Sequence, residues 1–521
     1  MTLLAPIPTR TVQPRTTRGR HARPRGRHAL RGSAGTWTYL ALSLVVMLWG
    51  CLVTSRHVWA GDWPIHLATV REFAADPAAP ADPMTGEASR SPYLSPYMAV
   101  LGLVSALTGA TPRTVLECAG LVNLALLLWS IRLLCRVLSP REGVAVLAVV
   151  FTLLLWGVSP LEWSGVPQLR SLSDTLAYPS TFATALMLLC WTALLRRRLA
   201  VAAPLFGLIL LVHPFTAVNT ALGVFAVIVV HPRTTLRTSA LFGLWVAVAA
   251  AWPYVDLTLL VGEDAGFSEV HSHMLVNALG KYGLALIGVP FLIRDRHRPH
   301  GRVLLTLFAA ATALIALGVL LNRMETARAI PVLVLASHLA LARALGDALR
   351  RGTAWRAAAV VTALCCVAGL VGARAGLARM WPLDAMPKED RHRVWRLLMP
   401  PEGYEFATSA LRPGETVLAG TWWARKHVML IGGYPLPSPW PYPYTPTWKA
   451  RHTDGHRFFD PSASAVERAE IARRYGARCA LGHDLPPVPG FEKVAQGPAG
   501  AVLLCQASDE KIHQEGRQSP R

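Results

Sequence analysis

Residues 36–54, TWTYLALSLVVMLWGCLVT, and the stretch that opens seven residues later, Gly61-Asp62-Trp63-Pro64-Ile65-His66-Leu67, decide how the rest of the chain reads. The first contains no Asp, Glu, Lys or Arg. At about 1.5 Å per residue it is long enough to cross a hydrocarbon core of about 30 Å. Before it, the first 35 residues carry Arg10, Arg15, Arg18, Arg20, Arg23, Arg25, Arg27 and Arg31 and no acid. Such a segment cannot bury a core, and it reads as a disordered cytoplasmic arm. A basic arm followed by an apolar run is an uncleaved signal anchor, which places Asp62 just beyond the far side of the membrane.

Working outward, the 521 residues are 52% hydrophobic and only 16% charged, which excludes a set of soluble domains. The net charge of +21 would suggest nucleic acid in a soluble protein. Here the basic residues fall between apolar runs, so topology accounts for them and no nucleic-acid partner is expected. Further runs lie near 114–131, 143–158, 179–195, 199–213, 216–231, 239–260, 274–293, 303–321, 329–345 and 357–373. With the anchor they predict about eleven spans. Alternation makes inner loops of Arg132 to Arg141, Arg196 to Arg198, His231 to Arg237, Arg294 to Arg302 and Arg350 to Arg356, and these are the basic clusters. The short run 97–109 breaks the alternation if it spans. An interfacial or re-entrant helix opened by Ser95-Pro96-Tyr97 is the preferred reading, a tilted span the alternative.

Past Trp381 the composition turns polar and aromatic, and the odd span count sends this part outside. The reading is thus a mainly α, polytopic membrane protein with a small C-terminal extracytoplasmic α+β domain. Its parts are an arm (1–35), a transmembrane domain (36–375) whose first outer loop (56–97) carries the candidate site, the outer domain (376–507) and a disordered tail (508–521). Within the outer domain, Val466 to Tyr475 has helical spacing. Arg478 to Leu481, Glu492 to Ala495 and Ala501 to Cys505 read as strands, and Ile431 to Trp448, rich in Pro, Tyr and Trp, as an irregular surface loop. Cys479 and Cys505 fall on two of those strands in an oxidising compartment, so a disulfide between them is expected.

Asp62 stands at headgroup depth, where a carboxylate meets the polar end of a lipid-linked substrate. The segment Trp63 to Phe73 is amphipathic and is expected to rest on the membrane. The arrangement resembles the GT-C superfamily of polyprenyl-phosphate-sugar glycosyltransferases, including its actinobacterial arabinofuranosyltransferases. The resemblance rests on the anchor and its long outer loop bearing Asp62 with His66, and on Ser95-Pro96-Tyr97 opening a short apolar helix. It rests also on the pattern Arg323-Met324-Glu325-Thr326-Ala327-Arg328-Ala329-Ile330-Pro331 and on an outer domain ending in Tyr475-Gly476-Ala477-Arg478. It implies a polyprenyl-phosphate-linked sugar donor, an extracytoplasmic acceptor, residence in the cell membrane, and a first-loop acid, here Asp62, acting as catalytic base or as ligand of a divalent metal.

Physical chemistry asks for the same parts. Glycosyl transfer from a lipid phosphate needs a base for the acceptor proton and a cation for the departing phosphate. Arg328 is the first choice for the cation and Arg323 the second, since guanidinium forks match phosphate oxygens. Glu325 either belongs to the site or pairs with one of these arginines. His213, in a turn between two runs, can touch the phosphate or simply satisfy that turn. Glu162 and Asp174 either join Asp62 around a cation or are ordinary loop charges. A transporter or flippase would place ionisable groups at mid-membrane, where His338 is one of few. A non-catalytic scaffold is the third class.

Overall fold

The computed structural model describes residues 34–56, 60–260, 267–348, 353–381, 403–440 and 442–507. The expectations for residues 1–33 of the basic arm and for the tail 508–521 lie outside the described residues. The first part of the chain is helical: α1 (Ala34–Thr54), α2 (Trp63–Ala75), α3 (Pro96–Thr108), α4 (Pro112–Leu138), α5 (Glu142–Leu154), α6 (Leu169–Thr175), α7 (Pro179–Leu195), α8 (Leu199–Val212), α9 (Pro214–Val230) and α10 (Thr235–Ala250). The bundle continues with α11 (Phe267–Ser272), α12 (Ala278–Tyr282), α13 (Val289–Arg294), α14 (Pro299–Leu320), α15 (Ile330–Ala348) and α16 (Thr353–Ala378). Proline sets many of the starts. Pro96, Pro112, Pro179, Pro214 and Pro299 each stand in the first turn, where a missing N–H costs nothing.

Five of the described helices are long and apolar enough to cross a membrane, or seven if the two sharply bent pairs each count as one span. The expected eleven is therefore not confirmed by helix length. The runs at 143–158 and 199–213 form helices of only 13 and 14 residues. The run 274–293 is broken into α12, a 3-10 stretch (Gly283–Gly288) and α13. The break has a local cause: the residues after α5 lie against this run, with Ser159 N donating to Gly280 O at 2.9 Å and Leu284 N to Trp156 O at 3.0 Å. Backbone groups spent on a neighbour cannot close helical turns. The α3 helix has 13 residues and is capped by Ser95 and by left-handed Gly109. At about 20 Å it falls short of the hydrocarbon thickness.

Large apolar side chains face outward along α1 (Leu40, Leu44, Val45, Leu48, Leu52) and α16 (Val360, Val361, Leu364, Val367, Val371). Stripes of this kind suit contact with lipid tails, and the protein is a membrane protein. One end of the bundle gathers basic clusters with the few acids that match them: Arg132 and Arg136 on Glu142, Arg141 on Asp347, and Arg298 and Arg343 on Asp295. The candidate site occupies the other end.

The C-terminal domain is a five-stranded sheet of β1 (Thr416–Ala419), β2 (Tyr434–Leu436), β3 (Cys479–His483), β4 (Phe491–Gln496) and β5 (Ala501–Gln506), in the order β2-β1-β3-β5-β4. Three helices accompany it: α17 (Trp422–Ile431), α18 (Trp448–Phe459) and α19 (Ala465–Arg474). The strands β1, β2 and β3 are parallel, with α17 as the crossover between β1 and β2, while β5 runs antiparallel to β3 and β4. Cys479 and Cys505 face each other across β3 and β5 and form a disulfide, as expected.

Ile431 to Trp448 is not a surface loop. It contains β2, and Tyr442 is buried with Ile65, Ala68, Met84 and Met429. The α2 helix does not lie open on a membrane either. It is buried on both sides, against α3 and against α17, because its polar residues find partners on the domain. Arg71 donates to Met429 O and Leu430 O, and Glu72 accepts from the Tyr434 hydroxyl at 2.9 Å. The loop beyond is held likewise: buried Asp82 accepts from Met84 N, Thr85 N and Thr85 Oγ1 and, at 2.6 Å, from the Tyr442 hydroxyl.

Candidate functional site

Asp62 sits between the end of α1 and the start of α2, after Gly61 in the left-handed region (φ 51°). A Cβ at Gly61 would also approach the Tyr178 hydroxyl at 2.9 Å, so glycine is required there twice over. Asp62 is the N-cap of α2, yet its side chain caps nothing. The carboxylate instead accepts from Lys426 Nζ at 3.2 Å through Oδ1. Its other oxygen, Oδ2, has no partner among the described residues, and the side chain is 43% exposed.

Lys426 comes from α17 of the C-terminal domain, and its side chain is 0% exposed. Its ammonium also donates to Gly61 O and lies 3.8 Å from the centre of the Trp422 ring and 5.3 Å from that of Trp440. Burial lowers the affinity of Lys426 for its proton, and the Asp62 carboxylate opposes that shift. Sequence reasoning missed this residue. The only signal was a cationic stretch, Arg425-Lys426-His427, set behind two tryptophans.

His66, one turn along α2, is buried edge-on to Tyr178, with ring centres 4.5 Å apart, and its Nδ1 has no partner. Burial pushes the imidazole down to about 4, so it is neutral at neutral pH. His213 ends α8 and caps α9 through Nδ1, which accepts from Thr216 N at 3.3 Å. It lies within electrostatic reach of both Arg328 and His66.

Arg328 stands in the 3-10 turn Met324–Ala329 that leads into α15. Its guanidinium carbon lies 5.1 Å from the ring centres of both Trp163 and Phe215. Nη1 donates to Ser164 O at 2.8 Å and Ser164 Oγ at 3.1 Å, while buried Nε has no partner. Among the described residues no carboxylate pairs with Arg328, although Asp62 is within its electrostatic reach. Thus Asp62, His66, His213 and Arg328 come together at one end of the bundle.

Arg323 and Glu325 do not join them. Glu325 Oε2 accepts from Ser268 Oγ at 2.6 Å, fastening the turn to α11, and Arg323 stands 4.0 Å from Glu325. Glu162 and Asp174 are also spent elsewhere. Both bind the fully buried Arg170, at 2.9 and 2.5 Å, and Asp174 also takes Arg379 at 2.7 Å. This ladder ties α6 and the loop before it to the end of α16.

The described residues do not offer a divalent cation a set of ligands. Among the described residues no group of three His, Cys, Asp or Glu could hold one. The Asp62 carboxylate already has an ammonium beside it, whose charge opposes a second cation there. His338, an ionisable group expected at mid-membrane, is buried with Nε2 2.6 Å from Leu155 O, while its Nδ1 has no partner.

No protein-family model matches this chain, and no curated protein matches it in sequence. Solved structures do. The mycobacterial arabinofuranosyltransferase AftD superposes with a TM-score of 0.55 at 17% identity, over 92% of this chain and 40% of that one. A second structure, of an AftD mutant, gives 0.54 over 92% and 42%. The Archaeoglobus fulgidus oligosaccharyltransferase, in complex with Zn and sulfate, gives 0.45 at 14% identity, over 90% and 73%. This chain spans about two-fifths of the length of the AftD structures. Helical bundle and C-terminal domain together have the fold of the part of the mycobacterial arabinofuranosyltransferase AftD on which they superpose.

Proposed function

We propose that this protein transfers a sugar from a polyprenyl-phosphate-linked donor to a hydroxyl acceptor of the cell envelope on the outer side of the cell membrane. What carries the reading is the placement of Asp62, a half-exposed carboxylate with one oxygen free among the described residues, in the same cluster as Arg328, an arginine that no described carboxylate pairs with. Asp62 Oδ2 takes the proton of the acceptor hydroxyl while the acceptor oxygen forms its bond to the anomeric carbon. The bond from that carbon to the phosphate oxygen breaks, and its electron pair leaves with the phosphate.

Arg328 faces the growing negative charge. Its guanidinium is preorganised between Trp163 and Phe215, so little reorganisation is needed when the charge develops. His213 stands beside Arg328 on the phosphate side. Neutral His66 offers a hydrogen bond to a sugar hydroxyl without adding charge beside the base.

The test is Asp62→Asn, which keeps the shape and removes the charge. It should lower turnover from a lipid-linked donor by about a hundredfold or more, with expression unchanged. Normal turnover by Asp62→Asn membranes would end the proposal.

A further inference from the structure

The first-loop acid of this chain already has a cation, and that cation is part of the protein. We propose that Lys426 takes the place of a divalent metal beside Asp62, so that this chain works without a metal ion and the C-terminal domain supplies a positioning residue to the bundle's base. The inference rests on the reading of Asp62 as the base. Three observations carry it. The Lys426 side chain is fully buried while the carboxylate it holds is half-exposed, so the ammonium lies behind the acid and leaves the acid's face open. It grips two groups of the same turn, Gly61 O and Asp62 Oδ1, which fixes the carboxylate plane and leaves Oδ2 free. It is walled by Trp422 and Trp440, whose faces favour a cation and supply no oxygen ligand on those sides.

The two other acids with which a metal would have to be shared, Glu162 and Asp174, are committed to Arg170 and Arg379. A single positive charge in a fixed position also suits a base better than a metal would. It orients the carboxylate through Oδ1 and leaves Oδ2 open to take a proton.

Purified full-length protein tests this in two ways that fail separately. In turnover assays, EDTA should leave the wild-type rate within about twofold, and added Mg2+ or Mn2+ should not raise it. In a Mn2+ titration followed by electron paramagnetic resonance, wild-type and Asp62→Asn should bind alike, a readout independent of activity. Lys426→Gln should lower kcat by about thirtyfold or more with donor KM within about threefold, and Lys426→Arg should recover part of the loss. If Lys426→Gln does not accumulate as folded protein, chelation and the Mn2+ titration decide alone. Transfer that EDTA abolishes and a divalent ion restores overturns this inference and leaves the glycosyl-transfer reading intact. So does Mn2+ binding that Asp62→Asn removes, or full turnover by Lys426→Gln. Absence of any transfer by wild-type protein overturns the reading of function, while the Mn2+ titration still shows whether Asp62 holds a metal ion.

Discussion

A single arginine can be judged by what it lacks. The buried guanidinium groups of Arg170 and Arg379 are matched to a carboxylate, whereas Arg328 is held by aromatic rings and the carbonyl and hydroxyl of Ser164. Arg328→Ala should raise donor KM and lower kcat by about a hundredfold or more, because the charge it faces grows along the reaction. Arg328→Lys should rescue only part, since an ammonium cannot fork across two oxygens. Donor kinetics unchanged in Arg328→Ala would make it a structural residue. Of the residues expected from sequence, Asp62, His66, His213 and Arg328 converge because each lies at a helix end facing the same side. That was legible from the positions of the apolar runs. Arg323 and Glu325 share the motif with Arg328 but point away, since the turn at Met324–Ala329 is 3-10 and sends neighbouring side chains to different partners. Lys426 was illegible, because nothing in the order of residues says that α17 docks on α2.

Among the elements, the helix pair α2 and α3 positions the acid, and the pair depends on one small residue. A Cβ at Gly102 of α3 would fall 2.3 Å from Phe73 Cβ and 2.9 Å from its carbonyl carbon, so the two backbones touch where no side chain fits. Gly102→Leu should force the helices apart at a cost of roughly 1–3 kcal/mol or more, lowering both the melting temperature in detergent and turnover. Unchanged melting and turnover would refute this packing role. Element by element, long apolar runs and the three later strands were readable from periodicity. The failures have a common physical origin. The α2 helix and the Pro- and aromatic-rich segment after Ile431 each look like surface elements alone, and each is buried by the other. Amphipathicity states that a face will be covered but not by what.

For the whole molecule, the order of basic clusters at one end and the candidate site at the other makes a topological prediction. Arg197 lies in the exposed turn between α7 and α8, and Arg473 is strongly exposed on α19. In a variant stripped of other unpaired thiols, Arg473→Cys should react with a membrane-impermeant maleimide on intact cells. Arg197→Cys should react only after permeabilisation. The reverse pattern would invert the assignment of sides and remove the basis for an envelope acceptor. The seam between loop and domain also bears on how the protein comes into being. Lys426 follows Asp62 by 364 residues. A chain still attached to the ribosome can therefore hold most of its bundle, with its acid in place, before the partner of that acid has been made. If Lys426 orients Asp62 as proposed, transfer begins only when the final domain settles on the first loop, and a half-synthesised copy is inert.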